Sequence, residues 1–156
     1  MKLKILGKHS LCMFLEKLCV IFMILGGGIV ILLPLVLEGY YQWVNYPNPD
    51  AVRIPMLIAL YVSGACAFCI LLYLRRLLKS VNTENPFSEA NAKRLKRIGL
   101  LCLPIAAVYL GVMPVLPSVL VLCVALAFSF IAALMAVLAE LFTQAVAYKQ
   151  ENDLTI

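Results

Sequence analysis

The sequence predicts an all-α membrane protein with four transmembrane helices, and helices 2, 3 and 4 carry helical extensions into the cytosol. Three observations predict this class. The chain has 156 residues, of which 64% are hydrophobic and 13% charged, whereas soluble domains run at roughly 45–50% and about 25%. The excess is gathered in blocks: residues 18–37, 54–74, 98–115 and 119–139 contain no charged side chain. Basic residues, finally, gather in alternate connections between those blocks. Each block has about 18–21 residues, and at about 1.5 Å per residue it spans about 30 Å, the thickness of a bilayer core. Lipid offers the backbone no hydrogen-bond partner, so each block is expected to be a helix. The length suits one domain covering residues 1–156.

The opening MKLKILGKHSLCMFLEK is basic and leads into the first block. A cleavable signal peptide is the alternative, but its apolar region runs roughly 7–15 residues. The block here is longer and no A-x-A-like site follows, so a retained membrane anchor is expected. Gly26, Gly27 and Gly28 within it either admit a close neighbour or allow a bend. They do not form a phosphate loop, because no Lys-Ser/Thr follows them.

The first connection, EGYYQWVNYPNPDAVR (38–53), reads as an outer loop rich in aromatic rings: Tyr40, Tyr41, Trp43 and Tyr46. Such rings favour the membrane–water interface; an external ligand site is the other reading. Pro47 and Pro49 stiffen the turn into the second block.

That block runs on as LRRLLKSV, and NTENP breaks it, since the residue before a proline is driven out of helical geometry. Ser88 is the expected N-cap of the next helix, with Glu89 in its first turn and Phe87 placed to pack on the following turn. Residues 75–97 are thus a helical hairpin in the cytosol. Its charge, with Lys93, Arg94, Lys96 and Arg97 at the centre, has three readings. It rests on anionic lipid headgroups, or docks an acidic protein partner, or binds nucleic acid. The last lacks stacking aromatics, and no direct nucleic-acid contact is expected.

The third block contains Pro104 and ends at Pro114; an uncharged turn leads to the fourth, which outlasts the membrane through ELFTQAVAYKQEN. Counting Lys and Arg places the hairpin, both termini and the tail (140–156) in the cytosol of a multi-pass membrane protein.

Small residues recur every four positions in span two (Ala59, Ser63, Ala67) and span four (Ala125, Ser129, Ala133). Stripes of this kind let helices approach closely in lipid. The two spans run in the same direction, so the stripes are expected to face each other in a four-helix bundle. Extended toward the cytosol they reach Arg75 and Glu140, an expected ion pair with Arg76 or Arg97 as substitutes for Arg75. The alternative is that both charges meet water.

Six cysteines are present, and Cys66-x-x-Cys69 invites a redox or metal reading. The pair falls mid-helix with no second pair and no nearby histidine, so packing is expected. The single histidine, His9, lies outside the blocks. No serine–lysine, paired-aspartate or metal-ligand set lies at membrane depth. No catalytic residue, cofactor or metal is therefore expected, and an enzyme is not.

NPFSEANAKRLKRIG (85–99) and LAELFTQAVAYKQENDLTI (138–156) together resemble the bacterial family called domain of unknown function 2975, four-helix inner-membrane proteins. The resemblance covers the whole chain in topology. It implies no catalytic residues. It does imply a neighbour, because family members are commonly encoded beside a small cytosolic helix-turn-helix regulator of the Cro/C1 type. Two functions are then expected to compete. One is a membrane regulator or adaptor that holds such a transcription factor through Lys93, Arg94, Lys96, Arg97 and the closing Asp153, Leu154, Thr155 and Ile156. The other is a small oligomeric transporter, with Tyr61, Ser63, Tyr109 and Ser129 as its polar candidates. Membrane lipids and further copies of the chain are the remaining partners.

Overall fold

The computed structural model describes residues 11–44, 49–82 and 88–153. They form four helices and, among the described residues, no strand: α1 (Leu11–Val44), α2 (Pro49–Asn82), α3 (Glu89–Val112) and α4 (Val119–Asp153). All four are long and apolar enough to cross a membrane. At 34, 34 and 35 residues, α1, α2 and α4 reach about 50 Å and overrun a bilayer core of about 30 Å. The helices alternate in direction, so one end of the assembly carries most of the Arg and Lys and the other the aromatic connection. These are called the basic end and the aromatic end below.

At the aromatic end much of the expected loop is helix. α1 runs through to Val44 and α2 starts at Pro49, the residue type that suits a first helical turn. Arg53 on α2 ion-pairs with Glu38 on α1 across this hairpin. Tyr40 and Trp43 are exposed, as interfacial rings are, whereas Tyr41 is buried. Tyr46 and Pro47 lie outside the described residues.

At the basic end α2 runs on to Asn82, and α3 starts after Ser88, which has extended backbone angles (φ −133°, ψ 148°). The N-cap position is the expected one, but the Ser88 hydroxyl makes no capping bond. Its carbonyl accepts from the N–H groups of Asn91 and Ala92. Phe87 lies outside the described residues. α3 continues through Pro104, and a short turn after Val112 leads to α4, where the Ser118 hydroxyl accepts from the Leu120 N–H at 3.3 Å.

The helices pack in a curved row. α1 lies against α2, α2 against α3 and α3 against α4, and among the described residues no other pair of helices comes together. The row is a bundle open along one side. α3 is its centre. Asn91, Ile98, Ile105 and Val112 form one buried line with seven-residue spacing, and Ala92, Gly99 and Ala106 form another one residue later. The first line begins with Asn91 bonded to α2. The second includes Gly99, where an added Cβ would stand 3.1 Å from the Met135 Cβ and 3.2 Å from the Ala132 carbonyl oxygen of α4. Glycine here sets the closeness of α3 and α4.

This arrangement corrects the expected packing of spans two and four, because α2 and α4 do not meet. The small-residue stripes also turn out of the interface. Ala59 and Ala125 are buried, Ser63 is half-buried and Ser129 exposed, and Ala67 and Ala133 are exposed. The reason is helical geometry. At 3.6 residues per turn, each four-residue step rotates about 40° around the helix, so the two steps of each stripe carry it off the contact. The buried face of α4 instead follows Val121, Ala125, Ala132, Ala139 and Val146, the seven-residue period of a coiled-coil seam.

Candidate functional site

At the basic end the α2–α3 hairpin is cross-linked by side chains at three levels. Ser80 of α2 accepts from Asn91 Nδ2 at 3.0 Å. One turn nearer the membrane, Arg94 Nη1 donates to the Arg76 carbonyl oxygen at 3.3 Å and to Asn91 Oδ1 at 2.6 Å. Another turn on, the Arg97 guanidinium lies 5.7 Å from the Tyr73 ring centroid, with Nη1 3.4 Å from the phenol oxygen. Asn91 is fully buried and is the one buried polar side chain among the described residues. An unsatisfied amide there would cost about 1–3 kcal/mol, so its bonds to Ser80 and Arg94 satisfy it, and the Ser80 bond across the hairpin fixes the register of α2 and α3.

The four basic residues expected to form one surface are therefore divided. Arg94 and Arg97 turn to α2. Lys93 and Lys96 line a separate groove between α3 and α4. Lys93 lies 3.6 Å from Glu89, one turn back on its own helix. Of the tail, Asp153 ends α4, and Leu154, Thr155 and Ile156 lie outside the described residues.

The expected Arg75–Glu140 pair does not form. Arg75 Nε stands 3.8 Å from Glu16 Oε1 on α1, because α1 is the neighbour of α2 and α4 is not. Neither Arg76 nor Arg97 replaces it. Glu140 lies on the wall of the α3–α4 groove, where it accepts from Gln144 Nε2 at 3.5 Å. The groove encloses about 480 Å³, and small side chains (Ala92, Ala136, Ala139, Ala147) make its floor and walls.

A larger cleft of about 890 Å³ lies within the membrane-spanning segments, on the open side of the row. Three of the four polar candidates, Tyr61, Ser63 and Tyr109, line it; Ser129 does not. Ser63 is satisfied by the Leu60 carbonyl at 3.1 Å. Gly26 and Gly27 also line the cleft, and a Cβ added at any of Gly26, Gly27 and Gly28 would meet nothing within 4 Å. The glycine run serves no close approach within the chain. That role falls to Gly64, whose added Cβ would lie 2.8 Å from Val30 Cγ2. Of the C-x-x-C pair, Cys69 borders the cleft and both thiols are free. Among the described residues no three His, Cys, Asp or Glu side chains stand together as metal ligands.

The hairpin network is the part of the site that sequence reading missed. Its signal was present: Asn91 stands on the same seven-residue line as Ile98 and Ile105, where an apolar side chain is the rule.

Residues 41–156 match the family described as "Protein of unknown function (DUF2975)". Both stretches that carried the resemblance fall inside that match. A protein of Bacillus subtilis (strain 168), described as "Uncharacterized membrane protein YoaS", is 29% identical over 122 residues, 71% of this chain and 76% of its own length. No solved structure matches the chain.

Proposed function

We propose, for a chain that belongs to the DUF2975 family of membrane proteins, that it is a membrane-embedded regulator or adaptor rather than an enzyme, and that its basic end faces the cytosol and holds a soluble protein partner. The observation that carries this reading is the helical platform at that end. α2 from Arg75, α3 up to Arg97 and α4 from Glu140 continue as helix beyond the uncharged blocks. Hydrogen bonds from α3 side chains brace α2 to α3. A rigid basic projection with a helical tail presents a surface to a protein. Its Lys and Arg content also supports the cytosolic orientation. The neighbourhood implied by the family resemblance makes a small helix-turn-helix transcription factor the partner to look for. The test is capture of the tagged protein from crosslinked native membranes, with the intact chain and with one lacking residues 150–156. A helix-turn-helix protein recovered only with the intact chain is the expected result. Recovery of nothing but the protein itself defeats the reading.

The cleft supports a second reading, a small transporter. It gathers Tyr61, Ser63 and Tyr109 at membrane depth, and its volume lies within the range of about 300–1,000 Å³ usual for small-molecule sites. Among the described residues no Asp, Glu, Lys, Arg or His lines it, whereas ion-coupled carriers place an ionisable group within the membrane. Substrate-dependent flux in proteoliposomes that Tyr109→Phe abolishes would favour this reading over the first.

A further inference from the structure

The α3–α4 groove holds two opposite charges, Lys96 and Glu140, that form no ion pair with each other. Among the described residues neither Lys96 nor Glu140 has an ion-pair partner, although both line the same groove. The contact of Gly99 with Ala132 and Met135 fixes the register of the two antiparallel helices. Counting from it at about 1.5 Å per residue, Lys96 and Glu140 lie within about one helical turn of each other in depth.

The same face continues into the membrane with a matching contrast of size. On α3, Lys96 is followed at helical spacing by Leu100 and Leu103, both exposed. On α4, Glu140 is preceded by Ala136, Ala133 and Ser129, all exposed and all small. By the same count Leu100 and Leu103 lie level with Ala133 and Ser129. One wall of the face is therefore large and basic, and the other is small and acidic.

We propose that this face joins two copies of the chain about a two-fold axis along the membrane normal. Two copies inserted the same way meet at equal depth, and an isologous contact pairs residue i with j and j with i. Lys96 of one copy then faces Glu140 of its partner, and the reverse pair forms across the axis. Leu100 and Leu103 of each copy pack onto the Ser129–Ala133 stripe of the other, where small side chains permit close approach. A second copy brings each of these charges an opposite one and each wall of the face a complementary shape. It also gives the small stripe of α4 a partner that α2 does not provide. The contact lies on the α3–α4 side of the row and does not depend on the soluble partner proposed above.

The test uses two charge reversals, Lys96→Glu and Glu140→Lys, each made in two differently tagged full-length chains. Co-capture from solubilised membranes reports self-association. Wild type is expected to capture itself. Each reversal alone places like charges opposite each other twice, and its self-capture should fall roughly tenfold. Co-expression of one reversal with the other restores both pairs and should return capture to within about twofold of wild type. That rescue requires both variants to be folded. Ala133→Leu, a change on an exposed position, should lower self-capture without lowering the amount of protein in the membrane. The proposal is overturned if wild type does not capture itself, if single reversals capture themselves as well as wild type does, or if mixing them gives no recovery. A lipid or a different protein found on this face of a monomeric chain overturns it as well.

Discussion

Helices α1 and α3 use opposite means to hold their places. α1 has the most apolar stretch of the four and α3 the least. Yet α1 buries little beyond Cys19, Leu33, Leu37 and Tyr41, and displays large side chains such as Ile24, Ile31 and Leu35. α3 buries Asn91, Ala92, Gly99, Cys102 and Ala106 beside Leu95, Ile98, Ile105 and Val112. In water the more hydrophobic helix would occupy the centre. In lipid, acyl chains solvate Leu and Ile as well as protein does, so large apolar side chains mark the lipid-facing surface. Small and polar residues mark the protein core, because they gain close contact and hydrogen bonds that lipid cannot give. α3, which packs against both α2 and α4, buries more such residues than α1, which packs against α2 alone.

The sharpest test of this contrast is one substitution made in both helices. Gly99→Leu forces a side chain into the Met135 and Ala132 contact on α4, and should destabilise the fold by about 3 kcal/mol. Gly27→Leu on α1 enters open space and should shift stability by less than about 0.5 kcal/mol. Denaturant titration of the protein in micelles reads both, and equal effects would break the comparison. Next in size is Asn91→Leu. It makes α3 more apolar but leaves the Ser80 hydroxyl and the Arg94 guanidinium without the amide, so a loss of about 2 kcal/mol is expected in the same titration. A gain in stability would mean that hydrophobicity, not polar satisfaction, holds the hairpin.

Gly64→Ala probes the α1–α2 contact. The new methyl group meets Val30 Cγ2, the end of a movable side chain, so the cost should be about 1 kcal/mol. Val30→Ala in the same chain should recover most of it. The smallest effect belongs to Glu16→Gln. Its partner Arg75 is 46% exposed and the separation is 3.8 Å, so the loss should stay below about 0.5 kcal/mol and shrink further in high salt. A larger loss would give α1 an electrostatic anchor that the present comparison denies it.

Much of the fold could be read without coordinates. Uncharged blocks of bilayer length dictate helices, because no other backbone satisfies itself in lipid. The end of α2 at Asn82, the start of α3 after Ser88 and the length of α4 were equally local, set by proline, capping position and unbroken apolar sequence. The site was less legible. The Arg75–Glu140 pair rested on two four-residue stripes facing each other, and such stripes say that a helix has a close neighbour without naming it. Asn91 lay in plain view, but only the α2 partner separates a buried amide from a solvated one.

The sequence by itself determined the number of helices and the basic character of one end, since each depends on neighbours along the chain and on the solvent around it. The tertiary structure decided which helix touches which, and so that Arg75 meets Glu16, that Arg94 and Arg97 serve the hairpin, and that Lys96 and Glu140 share a groove. Those outcomes turn on rotations of tens of degrees about each helix axis and on the order of the helices in the row. Composition is indifferent to both, and packing fixes them by whichever faces come closest.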